Sequence, residues 1–282
     1  MEIADLLFLQ EKHPQLNKFL AWFGANKNNH IWLKGLAGFY GAVFFSSVFH
    51  DLNRSVAYVL DNQEDAAYFY NDLVQITGGL DVYFFPSSYK RGIKYGEKDP
   101  GNEVMRTETL NALDVSGSPV MVVTYPEALF EQVVSTEALH TKTLSVSVGQ
   151  RVTMSAVKME LVKFGFEQVD FVFQPGQFSV RGSILDVFSF SSDFPFRIDF
   201  FGDEVDSIRT FEVDNQLSKE KKEKVSVVSD VNSGSNDIVP FLQFISKDTL
   251  LAFSDYNYAS GCMKNLDEET LALRRLSTMT VF

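Results

Sequence analysis

Apolar and polar positions follow two different patterns along this chain, and the change falls near residue 142. In the first part, short apolar runs alternate with stretches of helical spacing. Leu6, Leu7 and Leu9, then Leu16, Phe19, Leu20, Trp22 and Phe23 recur near a helical period, which predicts helices over residues 1–25. HIWLKG reads as a strand, the glycines after it as a turn, and AVFFSSVFHDL as a buried helix. SVAYVL (residues 55–60) is a short apolar strand, followed by the helix DNQEDAAYFYNDLVQI with Asp61 or Asn62 as its N-cap. DVYFFP (81–86) is a further strand, and a helix is expected over about 102–112. PVMVVTYPEAL gives a strand at 120–124 and a helix starting near Pro126, where proline suits the first turn. Strands alternating with helices over 30–135 predict a parallel α/β sheet.

Beyond residue 142 the helical segments thin out. TLSVSVGQRV reads as strand and turn, and TMSAVKMELVKFGFE as an amphipathic helix ending near Gly165. VDFVFQPGQFSVRGSILDVFSF and PFRIDFFGDEVDSIRTFEV read as strands. In PFRIDFF, period-2 alternation puts Phe196, Ile198 and Phe200 on one side and Arg197, Asp199 and Phe201 on the other. In the strand before it, Ser179, Arg181 and Ser183 alternate with Phe178, Val180 and Gly182, so Arg181 also falls on a polar face. A phenylalanine beside an arginine on a polar face needs a cover, from the protein itself or from a partner. SKEKKEKV (218–225) reads as a solvated linker or helix edge, and KDTLLAFSD (247–255) resumes the buried-strand style. The expected organisation is an α/β domain (1–141), an α+β insert (142–218), and a linker with the continuation of the α/β domain (219–282).

Composition narrows the chemistry. The chain has 282 residues, a formal net charge of −12 and a pI near 4.8. Its overall field repels polyphosphate, so autonomous nucleic-acid binding would need a local basic patch. The one cysteine, Cys262, excludes an intrachain disulfide framework and suits a reducing, cytoplasmic setting. The four histidines (His13, His30, His50, His140) show no metal-ligand spacing, and no metal or cofactor is expected. MEIADLLFLQEKH carries acidic residues where a signal peptide would be basic. Residues 31–49 contain Lys34 as their one charge, but their glycines and serines favour a strand, turn and buried helix over a membrane span.

The strand, glycine turn and helix at HIWLKGLAGFYGAVFFSSVF occupy the place of a phosphate loop in an α/β nucleotidase. A working loop reads GxxxxGK[ST], its lysine meeting the β/γ-phosphates and its hydroxyl ligating magnesium. Counted from Gly35, through Gly38, Gly41 stands at the lysine position and Ala42 at the hydroxyl position. Phe39 and Tyr40 would crowd the phosphate path. TLLAFSDY offers Ser254 and Asp255 where an acidic pair would be needed. The loop reads as degenerate, with glycines kept for packing and the main electrostatic support for hydrolysis missing.

FSVRGSILDVF, PFRIDFFGDEVDSIRTF and DNQLS together resemble the UvrB-like insert shared by the repair helicase UvrB and the transcription-repair coupling factor (Mfd) family. The resemblance is dense over about 145–218, whereas residues 30–135 match in pattern more than in letters. UvrB keeps an intact phosphate loop and an aromatic DNA-gripping hairpin that residues 83–106 do not show, so the N-terminal portion of a coupling factor matches better. That resemblance implies a degenerate RecA-like parallel-sheet domain interrupted by the insert, with no ATP hydrolysis of its own. It implies binding to the damage-recognition protein UvrA through an arginine in the xxRG segment, an arginine in the P-[FY]-R strand and the second aromatic of RxDFF, here Arg181, Arg197 and Phe201. It further implies masking of this face by the C-terminal part of the full-length polypeptide, and contact with RNA polymerase and DNA through modules outside these residues.

Blander and rival readings stand beside this one. Arg197 could pair with Asp199, Asp186 or Glu204 in a surface ion network of small energetic value, and Phe201 could lean on Met159 or Phe164. A UvrB-type ATP-dependent DNA-damage helicase is the enzymatic alternative. The segment YKRGIKYGEKD (89–99), with basic and tyrosine residues interleaved, is a third candidate as a strand-binding surface.

Overall fold

The structure is a computed structural model that describes residues 12–25, 31–36, 38–52, 54–88, 99–115, 118–230, 237–263 and 278–281. It divides into two compact units, one of Met1–Lys98, Ala112–Val133 and Val239–Phe282, the other of Asp99–Asn111 and Val134–Ile238. The basic–aromatic segment 89–98 and the expected helix over residues 1–11 lie outside the described residues.

In the first unit the chain runs through α1 (Pro14–Ala25), β1 (Ile31–Leu33), α2 (Phe39–Leu52), β2 (Val56–Val59), α3 (Gln63–Thr77) and β3 (Val82–Phe84). After α4 (Pro100–Val115), most of which belongs to the second unit, come β4 (Met121–Thr124), α5 (Pro126–Leu129) and β5 (Gln132–Val134). The α/β pattern ahead of residue 135 is therefore present as read. Two later strands, β15 (Leu250–Phe253) and β16 (Thr278–Val281), join a six-stranded sheet in the order β1-β16-β15-β2-β4-β3. Every pairing in it is parallel. The strands VAYV, MVVT and LLAF are buried at every position, the signature of a parallel sheet covered on both faces. The N-cap of α3 is Asn62, whose side chain accepts the N–H of Asp65 at 3.0 Å, and Gly78 closes the helix in the left-handed region. Among the described residues no helix is long and apolar enough to cross a membrane; residues 31–49 form β1 and most of α2.

The second unit is built differently. After α6 (Thr136–Thr141) come β6 (Thr143–Ser147), α7 (Met154–Lys163), β7 (Glu167–Gln168), β8 (Gln177–Arg181), β9 (Ile184–Val187), β10 (Phe196–Phe201) and β11 (Glu204–Phe211). The strands β12 (Ser218–Lys222), β13 (Lys224–Val228) and β14 (Ile238–Pro240) follow; α8 (Phe241–Phe244) and α9 (Tyr256–Met263) come later in the chain and belong to the first unit. A six-stranded sheet in the order β12-β11-β10-β9-β8-β7 is antiparallel except for β7 with β8. One face of it buries Phe178, Leu185, Val187, Phe196, Ile198 and Phe200 against Val157 and Leu161 of α7 and Val146, Val225 and Val227 of the β6–β13 ribbon. Period-2 alternation then sends Arg197, Asp199 and Phe201 to the opposite face, as the sequence pattern requires.

Two expectations fail here. Residues 218–225 are not a linker or helix edge: SKEKK forms the outermost strand of the sheet and the next residues open β13. A lysine-rich strand suits that place because charge discourages pairing of an open sheet edge with other chains. The sequence pattern predicts strand over residues 169–176, yet beyond Gln168 they form a loop. Gly176 fixes its exit: φ is +88°, and a Cβ there would meet the Phe190 ring at 2.9 Å. Only glycine fits both demands.

Candidate functional site

The outer face of the antiparallel sheet gathers the charged and aromatic residues. Two side-by-side hairpins supply its tip. In each the connection is two residues long, Gly182–Ser183 and Gly202–Asp203, with positive φ at the glycine (+62° and +64°) and not at the residue after it. That is the φ pattern of a type II′ turn, whose twist matches the strands it joins. Arg181 and Phe201 each directly precede the turn glycine. The second hairpin is pinned to the first by the Phe200 N–H donating to Ser183 O at 2.9 Å. It is pinned again by hydrogen bonds of Val205 N–H to Gln150 O and of Gly149 N–H to Val205 O. Asp199 faces Ser207 while Phe200 faces Val205, so Asp206 is the extra residue of a bulge that bends this tip. Phe201 is held on this fixed tip with 83% of its surface exposed. Neither Met159 nor Phe164 covers it.

Register explains the charges. Ser179 pairs with Asp186, Asp186 with Arg197, and Arg197 with Arg209, a row running straight across the strands. Asp186 is 1% exposed and receives both arginines. Arg197 donates bidentately, Nε to Oδ1 at 2.7 Å and Nη2 to Oδ2 at 2.9 Å, and Arg181 donates from Nη2 to Oδ2. Arg197 also donates to the backbone and side-chain oxygens of Gln216 at 3.2 and 3.3 Å, and its guanidinium lies 4.3 Å from the Phe211 ring centroid. Its hydrogen bond to Asp186 raises its pKa further above the ordinary guanidinium value, against the opposing effect of burial. The expected ion network is therefore not a surface one. Of the three acids considered for Arg197 the fold selects Asp186, inside the sheet, while Asp199 pairs with Arg209.

The two arginines are not equivalent. The Arg197 side chain is 15% exposed and has committed most of its donors inward. The Arg181 side chain is 39% exposed and gives Asp186 one N–H, a smaller commitment than the four hydrogen bonds of Arg197. Chemically the face offers an exposed aromatic ring on a pinned backbone and a part-exposed guanidinium, which suit a surface with an apolar pocket and acceptor groups. Sequence reasoning placed Arg181, Arg197 and Phe201 on this face but missed the burial of Asp186. The available signal was an aspartate set between Leu185 and Val187 in an otherwise apolar strand.

The glycine turn of the first unit has a different character. Gly35 (φ +91°) and Gly38 (φ +57°) turn the chain after β1. Gly41 and Ala42 lie in the buried opening turns of α2, and a Cβ on Gly41 would meet the Phe69 ring of α3 at 3.6 Å. An open cleft of about 580 Å³ beside Gly35 is lined by Lys18, Phe19, Trp32, Lys34, Tyr40 and Phe44, among others.

The antiparallel sheet with its charged outer face belongs to a recognisable class: residues 144–231 match the family model described as the UvrB interaction domain. The chain is also similar to transcription-repair-coupling factors. It is 28% identical over 196 residues to that of Bacillus subtilis (strain 168), covering 69% of this chain and 16% of the relative. It is 33% identical over 138 residues to that of Escherichia coli (strain K12), covering 48% of this chain and 12% of the relative. The chain thus carries a UvrB interaction domain and is similar to the N-terminal region of transcription-repair-coupling factors, of whose full length it spans about one sixth or less.

Proposed function

We propose that this chain is a non-catalytic, cytoplasmic adaptor module that recruits UvrA to stalled transcription complexes through the outer face of its UvrB interaction domain. Phe201 and Arg181 make the direct contacts, and Arg197 supports them from within. The parallel-sheet unit is a degenerate RecA-like domain with no ATP hydrolysis of its own. In a longer polypeptide the same face docks on the C-terminal part of that polypeptide when UvrA is absent, and RNA polymerase and DNA are engaged by other modules.

The observation that carries this reading is Phe201, a large aromatic exposed on a pinned hairpin tip, on the same face of the sheet as Arg181. Exposed aromatic and arginine side chains are the types most often found as binding hot spots. The test is capture of purified UvrA by the chain. The wild type is expected to bind, and the Arg181→Ala/Phe201→Ala double variant to lose about tenfold or more in affinity. Full binding by the double variant would overturn the site.

The cleft beside Gly35, with Lys18 and Lys34 in its lining, favours a nucleotide-binding alternative of UvrB type. Against it stand Gly41 and Ala42, at positions where phosphate and magnesium need a lysine and a hydroxyl. Saturable ATP binding by the isolated chain would revive it.

A further inference from the structure

We infer that Phe171 is a positioning residue of the binding face, holding the guanidinium of Arg181 in its outward-aimed orientation. This inference rests on the UvrA-binding reading and deepens it. The loop between β7 and β8 is anchored at each step. Val169 donates its N–H to Phe178 O at 2.9 Å, Ser179 Oγ donates to Asp170 O at 2.8 Å, and the Phe173 and Gln174 N–H groups reach Gln177 Oε1 at 2.9 and 3.2 Å. Val172 is buried in this loop, so its neighbours Phe171 and Phe173 point outward.

Phe171 thereby presents its ring to Arg181, whose Cζ lies 4.9 Å from the ring centroid. The guanidinium is then held on two sides, by the Asp186 carboxylate in its own plane and by the aromatic face across it. An arginine free in solvent loses rotamer entropy when a partner fixes it, and a pre-oriented one loses less. Half-exposed Phe171 lies outside the buried core of the unit, and its ring meets Arg181, which gives Asp186 one N–H.

A double-mutant cycle tests this, with affinity for purified UvrA measured for the full chain. Phe171→Leu keeps the loop apolar and removes the ring. It is expected to weaken binding about two- to fivefold in the wild-type background, from the size of an exposed cation–π contact, and to have no further effect in Arg181→Ala. Equal losses in both backgrounds would show an independent contact and overturn the inference. A second arm needs no partner. The Arg181 Nε–H resonance of the free chain should carry a ring-current shift that disappears in Phe171→Leu and returns in Phe171→Tyr. An unchanged resonance would overturn the inference whether or not UvrA binds, whereas absence of wild-type UvrA binding would overturn the functional reading alone.

Discussion

The glycine turn after β1 and the paired glycine turns of the antiparallel sheet use one backbone device to different ends. In both places positive-φ glycines let the chain reverse at the end of a strand. After β1 they lead into a helix with Gly41 and Ala42 buried in its opening turns and Gly41 set against Phe69. In the second unit the turn glycines are preceded by Arg181 and Phe201, and hydrogen bonds pin the tips so that these side chains stay at the surface. A glycine turn therefore marks where the chain bends. The flanking side chains, and what anchors them, decide whether the bend carries chemistry.

The largest effect expected is on the anchor of the second region. Arg197→Ala takes the bidentate partner from a buried carboxylate and should cost about 3 kcal/mol of stability, measurable by chemical denaturation. A loss below about 1 kcal/mol would mean that the Asp186 cluster is a solvated surface network after all. Because of this cost, weak UvrA binding by that variant would not by itself identify a contact residue.

A pH experiment separates the binding face from the rest of its unit. Burial, and then the neighbouring charge of Asp193, push the carboxyl of Glu108 up to about 7. A raised folded-state pKa stabilises the protein below the ordinary carboxylate range, and that contribution is lost as pH rises through about 7. Glu108→Gln should therefore gain stability relative to wild type between pH 4.5 and pH 8, by up to about 3 kcal/mol. UvrA affinity should stay unchanged. A parallel pH response in the variant would refute the assignment to Glu108.

The smallest stability effects sharpen the comparison most. Gly38→Ala and Gly182→Ala each place a side chain in the left-handed region with no atom within 4 Å of it, so each should cost about 1 kcal/mol. Only Gly182→Ala should weaken UvrA binding, since only that turn aims Arg181. Equal effects of the two variants on binding would break the distinction between the regions.

Much of this was legible from residue order, for identifiable reasons. Period-2 alternation in PFRIDFF separates Phe201 from the core without any coordinates, and the fully apolar runs VAYV and MVVT declare a covered parallel sheet. The rest depended on contacts between segments distant in sequence. Cross-strand register set the choice of Asp186 over Asp199, which spacing along one strand does not reveal. The loop at 169–176 reads as strand because Val169, Phe171, Val172 and Phe173 are strand-formers, yet its backbone hydrogen bonds run to Gln177, Phe178 and Ser179 in a form that ends the ladder. The β12 edge was hidden by its lysines, which suppress strand propensity while suiting an exposed edge.

Phe201 offers the most direct test of the central claim, because the proposal gives its exposed side chain a role in recognition and hardly any in folding. Titration of the chain with purified UvrA should show Phe201→Ala losing about tenfold or more in affinity, with thermal stability within about 0.5 kcal/mol of wild type, as for an exposed residue. Wild-type affinity in a folded Phe201→Ala variant would contradict the account.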